Sequence, residues 1–380
     1  MAGIYIHIPF CKKACHYCDF HFSTTLNNMD EMVQAICNEL ILKKNRFNDS
    51  IGSIYFGGGT PSLLSETAFG KIFNTIFKNY TVNSNSEITI EANPDDLDNQ
   101  RITMFRQFPV NRFSIGVQSF FEEDLIWMNR AHNASEAESS IKRAQDKGFE
   151  NLTIDLIYGY PLLSDKKWRS NLNKAIELNI PHLSAYAMTV EAKTAMAHAI
   201  KLGKQPNIDD EQSAQQFLFM VNTLQKANFE QYEISNFAKE GKYAVHNTNY
   251  WKGIPFLGIG PSAHGYDGKS RQYNISNNPI YIKNLLQNKL AETIEILSLA
   301  DQFNEYIMTQ LRTMWGLDLL YIEQKFGLSA KKHFINNIQK HLKNENLVQE
   351  NNNFYLSANG KLYADRVASD LFLEMEDFEN

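Results

Sequence analysis

The chain has 380 residues, 43% of them hydrophobic and 21% charged, which suits one large folded core or a core with a satellite module and excludes a disordered chain. Its 37 basic side chains against 43 acidic ones leave a formal charge of −6, which excludes a protein that binds chiefly by neutralising nucleic-acid phosphates. Charge breaks the apolar runs well short of the roughly 18–20 residues of a membrane span, and Lys12 and Lys13 end the short apolar start, so the expectation is a soluble protein without a signal peptide.

In chain order, six short runs rich in Ile, Tyr, Phe and Thr predict strands, at 4–8, 53–56, 87–91, 112–118, 151–157 and 182–188. Between them the apolar spacing is helical. Met32, Ala35, Ile36 and Leu40 form one apolar face, with Glu39 and Lys43 on its charged remainder. Phe69, Ile72, Phe73 and Ile76 form another, behind Ser65 as N-cap and Glu66 in the first turn. Strand alternating with helix predicts βαβ units, a mostly parallel sheet and right-handed crossovers. Six units by about residue 190 predict an α/β fold, a partial (β/α)6 barrel over 1–205, with ligands at the C-terminal ends of its strands.

Over 206–284 the pattern loosens into a barrel extension: a helix near 209–227, a β-type run at 231–234 and a loop-rich stretch over 246–268. Residues 285–380 read as a helical module, with helices at 302–314, 319–326 and 331–344, a hairpin over 347–356 turning at Asn351-Asn352-Asn353, and a last helix from Gly360. Helices plus a terminal hairpin look like a winged-helix module. Its 8 Lys and Arg against 12 Asp and Glu in 301–380 argue for packing or partner contact over DNA.

Four cysteines in so long a chain make no disulfide scaffold and point to a reducing, cytoplasmic setting. Cys11, Cys15 and Cys18 form a C-x3-C-x2-C loop after the first strand, while Cys37 stands alone in a helical stretch. Three thiolates at this spacing suit a cuboidal [4Fe–4S] cluster with one iron left open, which the amino and carboxylate groups of S-adenosylmethionine (SAM) can chelate. Zinc completed by His7 or His16, or three structural thiols, are the alternatives. Tyr17 is placed to flank a nucleobase.

Gly57-Gly58-Gly59-Thr60-Pro61 ends the second strand, where missing Cβ atoms let a ligand approach the backbone and exposed backbone groups could pair with an amino group; a plain tight turn is the alternative. It lacks the G-x-G-x-x-G and G-x4-G-K-[ST] patterns of phosphate loops. Glu91, Gln118, Arg130 and Asp155 are singly ordinary surface or ion-pair residues, but as a set at strand ends they offer partners for amino, ribose and carboxylate groups. His246, ahead of Tyr250 and Trp251 in H-N-x-x-Y-W, joins a metal-binding nitrogen to flat aromatic surface, which suits haem and is expected on a loop near the strand C-termini. A capped turn whose aromatics enter the core is the alternative. His264 lies in the Gly-rich stretch that follows, as a ligand or a hydrogen-bonded loop residue.

Taken together, Tyr5-Ile6-His7-Ile8-Pro9-Phe10-Cys11, the C-x3-C-x2-C loop, Phe56-Gly57-Gly58-Gly59-Thr60-Pro61, Glu91, the Gln118 and Arg130 segments and Asp155 resemble the radical SAM proteins related to oxygen-independent coproporphyrinogen III oxidase, over nearly the whole chain. The resemblance implies cluster ligation by Cys11, Cys15 and Cys18. It implies SAM contacts by Tyr5, Phe20, Gly58, Gly59, Thr60, Glu91, Gln118, Arg130 and Asp155, with Arg130 placed on the SAM carboxylate, Glu91 on its amino group and Gln118 or Asp155 on the ribose. The oxidase carries a further Cys two positions after the third cluster Cys, and an N-terminal extension; here that position is Phe20 and the first strand begins at residue 4. Cys18-Asp19-Phe20 and the H-N-x-x-Y-W stretch instead look like the haem-chaperone branch. That branch implies a cytoplasmic protein that binds haem and passes it to a haem-protein acceptor, by peripheral contact where the acceptor is membrane-bound, in place of coproporphyrinogen decarboxylation.

Overall fold

A computed structural model of the protein describes residues 1–374. The chain runs β1 (Ala2–Ile8), α1 (Met29–Leu42), β2 (Ile51–Gly58), α2 (Glu66–Asn79), β3 (Val82–Ala92), α3 (Asn99–Phe105), β4 (Arg112–Gln118), α4 (Glu122–Trp127), α5 (Ala134–Asp146), β5 (Leu152–Tyr158), α6 (Asp165–Glu177) and β6 (His182–Ala187). β1 to β6 lie side by side in sequence order and all parallel, the α/β arrangement expected of six βα units. Side chains from β2 to β6 face one cavity, so the sheet curls into an open, partial barrel.

The curl follows from the strands' period-two pattern. Ile4, Ile6 and Ile8, Ile54 and Phe56, Ile88 and Ile90, Phe113, Ile115 and Val117, and Leu152, Ile154 and Leu156 are buried in one cluster with the outer helices. Phe56, for example, packs on Phe69 and Phe73 of α2, whose N-cap Ser65 accepts the Ala68 N–H at 3.2 Å. Each such side chain contributes about 1.5–3 kcal/mol through burial. The alternate positions point into the barrel and are mostly polar: Glu87, Thr89 and Glu91, Arg112 and Ser114, Thr153 and Asp155, His182 and Ser184.

Beyond β6 follow α7 (Ala195–Lys201), α8 (Asp210–Lys226), β7 (Phe229–Glu233), β8 (Asn236–Lys239), α9 (Val245–Trp251), β9 (Phe256–Ile259), β10 (His264–Tyr266), β11 (Ser270–Asn274), α10 (Asn278–Leu286) and β12 (Glu292–Ile296). β8 and β7 extend the sheet past β6, while β9 joins β1 in parallel and carries β10, β11 and β12 in antiparallel order. The loop-rich reading of 246–268 is therefore corrected to helix and strand. Leu257 and Ile259 form a strand because β1 supplies the partner, a long-range pairing with no local signature.

The last part comprises α11 (Leu299–Leu311), β13 (Leu317–Asp318), α12 (Leu319–Lys343), β14 (Leu347–Glu350), β15 (Asn353–Leu356) and α13 (Ala364–Ser369). It has its own core, including Phe303, Ile307, Phe334, Ile338 and Phe354. α12 is broken at Gly327 (φ 89°), which separates the two helices read from the sequence, and Asn351 (φ 55°) turns the hairpin. Residues 375–380, within the predicted 285–380 module, lie outside the described residues. Among the described residues no helix is long and apolar enough to cross a membrane.

Glu39 and Lys43, expected on the charged side of α1, are buried instead. Lys43 Nζ lies 2.5 Å from Glu39 Oε1 and 3.0 Å from Glu292 Oε2, and donates to the Gly258 carbonyl. Glu39 accepts from Gly260 N–H, Asn274 Nδ2 and Tyr281 O–H at 2.5–2.8 Å. The β9–β12 wing covers this face of α1, and the charges tolerate burial because each is paired. Lys43→Met, which leaves Glu39 and Glu292 without that cation, is expected to destabilise the protein by about 3–5 kcal/mol in urea unfolding. A loss below about 1 kcal/mol would refute the clamp.

Candidate functional site

The cysteine loop is seated by backbone. Gly59 N–H donates to Ile8 O (2.9 Å) and Thr60 N–H to Phe10 O (2.7 Å), while Cys11 N–H and Ser23 N–H close the loop base on Ser23 O and Pro9 O. Further contacts pin its far side: His16 N–H to Met128 O, Asn129 Nδ2 to Ala14 O, Lys13 Nζ to Arg130 O, and Met196 N–H of α7 to His16 O. Cys11, Cys15 and Cys18 are all half-buried and line one cavity of about 360 Å³ at the C-terminal ends of the strands.

Two donors reach the sulfurs. Thr60 Oγ1 lies 3.6 Å from Cys11 Sγ, and Arg130 Nη1 3.2 Å from Cys15 Sγ. Burial pushes the Cys11 thiol up and the Cys18 thiol up to about 12, so thiolates here require a cation. Among the described residues no three His, Cys, Asp or Glu side chains converge on a single-ion site. A cuboidal cluster asks something different, that each thiolate meet its own iron, and three separated thiols on one wall with donors to sulfur fit that demand.

The cavity also gathers Phe20, Gly58, Gly59, Thr60, Glu91, Gln118, Arg130 and Asp155. Glu91 accepts from Tyr55 O–H (2.8 Å) and Gly58 N–H (3.1 Å), and burial pushes its carboxyl up to about 7. Asp155, facing Ser114 and Ser184, is pushed up to about 6 by burial. Gln118 ends β4 with φ 66°, after a register irregularity. Arg130 reaches Cys15, Tyr17, Asn93 Oδ1 (2.6 Å) and Gly116 O (2.7 Å), so its Nη atoms hold protein groups in place of the free ligand carboxylate expected from the sequence. The Gly58, Gly59 and Thr60 N–H groups are all engaged internally.

Tyr5 and His246 stand apart from this set: neither lines the cavity. Tyr5 lies beneath it, its ring 6.1 Å from that of Tyr55 and its hydroxyl 3.2 Å from His7 Nδ1. His246 is not on a loop at the strand ends. It sits in α9, level with Ser53, whose Oγ is 2.9 Å from its Nδ1, and its ring stacks 5.2 Å from Tyr55. The Glu87 carboxylate accepts the Val245 and His246 N–H groups and draws the helix start into the barrel. Burial, with Arg112 nearby, lowers the His246 pKa to about 4 and keeps the ring neutral.

Sequence reasoning missed Asn93, Ser114, Gly116, Ser184 and Tyr186, which all line the cavity. Ser114, Gly116, Ser184 and Tyr186 lie at inward positions of their strands, so extending the period-two register would have found them. Asn247, the second residue of H-N-x-x-Y-W, also lines the cavity, and where α9 docks decides this.

The curled parallel sheet with three cysteines on the loop after its first strand defines the class: residues 5–175 match the Radical SAM superfamily, and residues 297–363 match the HemN C-terminal domain. Within that class the chain belongs to the HemW family. It is 33% identical over 374 residues to heme chaperone HemW of Bacillus subtilis, covering 97% of this chain and 98% of that one. It is 34% identical to heme chaperone HemW of Escherichia coli, over 82% of each chain. The solved structure of coproporphyrinogen III oxidase (HemN) from Escherichia coli, 22% identical, shares the fold with a TM-score of 0.85 over 98% of this chain and 90% of that one.

Two outcomes follow from this geometry. Folded Glu91 keeps its proton to about pH 7 while the unfolded chain releases it near 4.5, so the ligand-free protein should lose stability as pH rises through that window. Glu91→Gln should flatten the fall in thermal midpoint, and an unaltered slope would rule out this carboxyl as its source. His246→Ala should lower stability by about 1–3 kcal/mol through the lost Ser53 bond and ring packing, and the Soret band recorded when haem is added should match that of the wild type. A shifted Soret band would put the imidazole on the iron instead.

Proposed function

We propose that the protein is a cytoplasmic haem carrier that binds haem, a [4Fe–4S] cluster and SAM, and passes haem to a haem-protein acceptor. The observation that carries this reading is the match along 97% of the chain to a protein named heme chaperone. Phe20 supports it against the oxidase reading: its side chain, 69% exposed, stands at the cavity rim where the oxidase-type sequence has Cys.

In this reading Cys11, Cys15 and Cys18 hold the cluster, with Thr60 and Arg130 fixing the first two sulfurs. Gly58 and Glu91 form the wall toward the SAM amino group, Gln118 and Asp155 the wall toward its ribose, and Phe20 shields the mouth. Tyr5 acts from below, by positioning Tyr55 and His7. Bound there, the cluster and SAM supply one-electron reductive chemistry. The barrel's part is to exclude water and fix orientation.

The test uses anaerobically reconstituted full-length protein. Cys15→Ala should abolish the broad absorbance near about 400 nm of a thiolate-bound cluster while Cys37→Ala keeps it, since Cys37 is buried within α1. The wild-type protein should bind haem, release it to an apo-haem protein, and leave coproporphyrinogen III unchanged. Protoporphyrinogen above a no-enzyme control would overturn the carrier reading in favour of the oxidase.

A further inference from the structure

A second cavity, of about 430 Å³, lies where the β9–β11 wing meets the C-terminal module, away from the cysteine loop. Aromatic rings stand on both its walls, among polar side chains such as Gln302, Thr309 and Asn353. Tyr250 of α9 forms the barrel side; Tyr306 of α11, Trp315 and Tyr321 of α12 form the other. The Tyr306 and Tyr321 rings are 4.6 Å apart. The seam behind them is tied by Gln310 Nε2 to Trp251 O (2.6 Å) and by the Arg271–Glu305 ion pair.

The charges at this cleft are unequal in their commitments. Its acids are engaged, Glu305 with Arg271 and Asp318 in capping the Leu320 N–H at 2.8 Å. Its two exposed lysines are not: Lys252 Nζ lies 4.2 Å from the Trp315 ring centroid and Lys325 Nζ 5.6 Å from that of Tyr321, and neither has an ion-pair partner among the described residues. Aromatic rings set among polar groups, with two lysines that have no ion-pair partner lying over them, match a flat ligand that carries two carboxylates.

We infer that this cleft seats the haem of the proposed carrier, its tetrapyrrole between the aromatic walls and its propionates on Lys252 and Lys325. The inference rests on the carrier reading and assigns it a site. Among the described residues no His, Met or Cys lines the cleft, so the walls and the propionates, in place of an iron ligand, supply the affinity. Burial pushes the Tyr306 phenol up to about 12, which keeps it protonated and a poor iron ligand. Loose axial ligation suits a molecule that must give its cargo up.

The reconstituted full-length protein is titrated with haem, iron-free protoporphyrin IX and protoporphyrin dimethyl ester, followed by tryptophan quenching and the Soret band. Haem and protoporphyrin should bind with similar affinity. Lys252→Glu/Lys325→Glu should weaken both by about tenfold or more, as expected for two lost charge-assisted contacts, and leave ester binding unchanged. Cluster absorbance and thermal midpoint report folding, and Lys325→Glu alone, at an exposed helix position, serves as the milder variant with an intermediate loss. Haem bound equally by wild type and both variants would overturn the cleft and leave the carrier reading standing. No haem binding by wild type would overturn both.

Discussion

The functional rim depends on one close backbone approach, at Gly59. A Cβ there would lie 2.6 Å from Phe10 O and 2.7 Å from Ile8 O, so no larger residue lets the end of β2 meet the start of the cysteine loop. The two hydrogen bonds made across this contact set the loop's height above the sheet. Everything at the rim is then measured from it: the Thr60 hydroxyl falls under Cys11, and Asn93, bonded to Thr60 Oγ1, passes the register on to Arg130. Arg130 in turn lies flat on β4 because Gly116 has no side chain; a Cβ there would be 3.1 Å from Nη2.

Below the rim the barrel inverts the usual distribution of polarity. Its outside is apolar because helices cover it, and its inside holds ionisable groups. Arg112, almost fully buried, sits 3.7 Å from Glu87 and bonds Thr153, which meets His182, which meets Tyr232. These contacts offset the cost of burial, although Arg112 Nε, facing Glu87 at 3.7 Å, makes no hydrogen bond. The carboxyls nearer the mouth, Glu91 and Asp155, are the ones whose protons burial holds toward neutral pH.

α9 connects this interior to the outer cleft. Its start is anchored in the barrel by Glu87, Asn247 reaches the rim cavity, and Tyr250 forms a wall of the second cavity. One short helix therefore borders both sites. The C-terminal module completes the cleft through polar ties, including Arg312 with Glu233 (2.9 Å) and Lys361 with Gln231, and through apolar contacts, with Trp315 on Tyr232 and Tyr243 and Ile234 packed against both cores.

The six parallel strands, the N-cap at Ser65, the break between the two halves of α12 and the hairpin at Asn351 were all legible in sequence, because each depends on residues within a few positions of one another. The cysteine loop and the strand-end set were legible for the same reason: spacing within a loop and the end of a strand are local quantities. What sequence alone could not place were the partners of these segments. Glu39 and Lys43 carry the signature of a solvated helix face, and only the arrival of Glu292, some 250 residues later in the chain, turns them into a buried clamp. His246 carries the signature either of a metal ligand beside flat aromatic surface or of a capped turn whose aromatics enter the core, and Glu87 and Ser53 draw it into the barrel. Tertiary structure decided these roles because burial and pairing of charge are properties of segments meeting in space, whereas periodicity and spacing are properties of the chain itself.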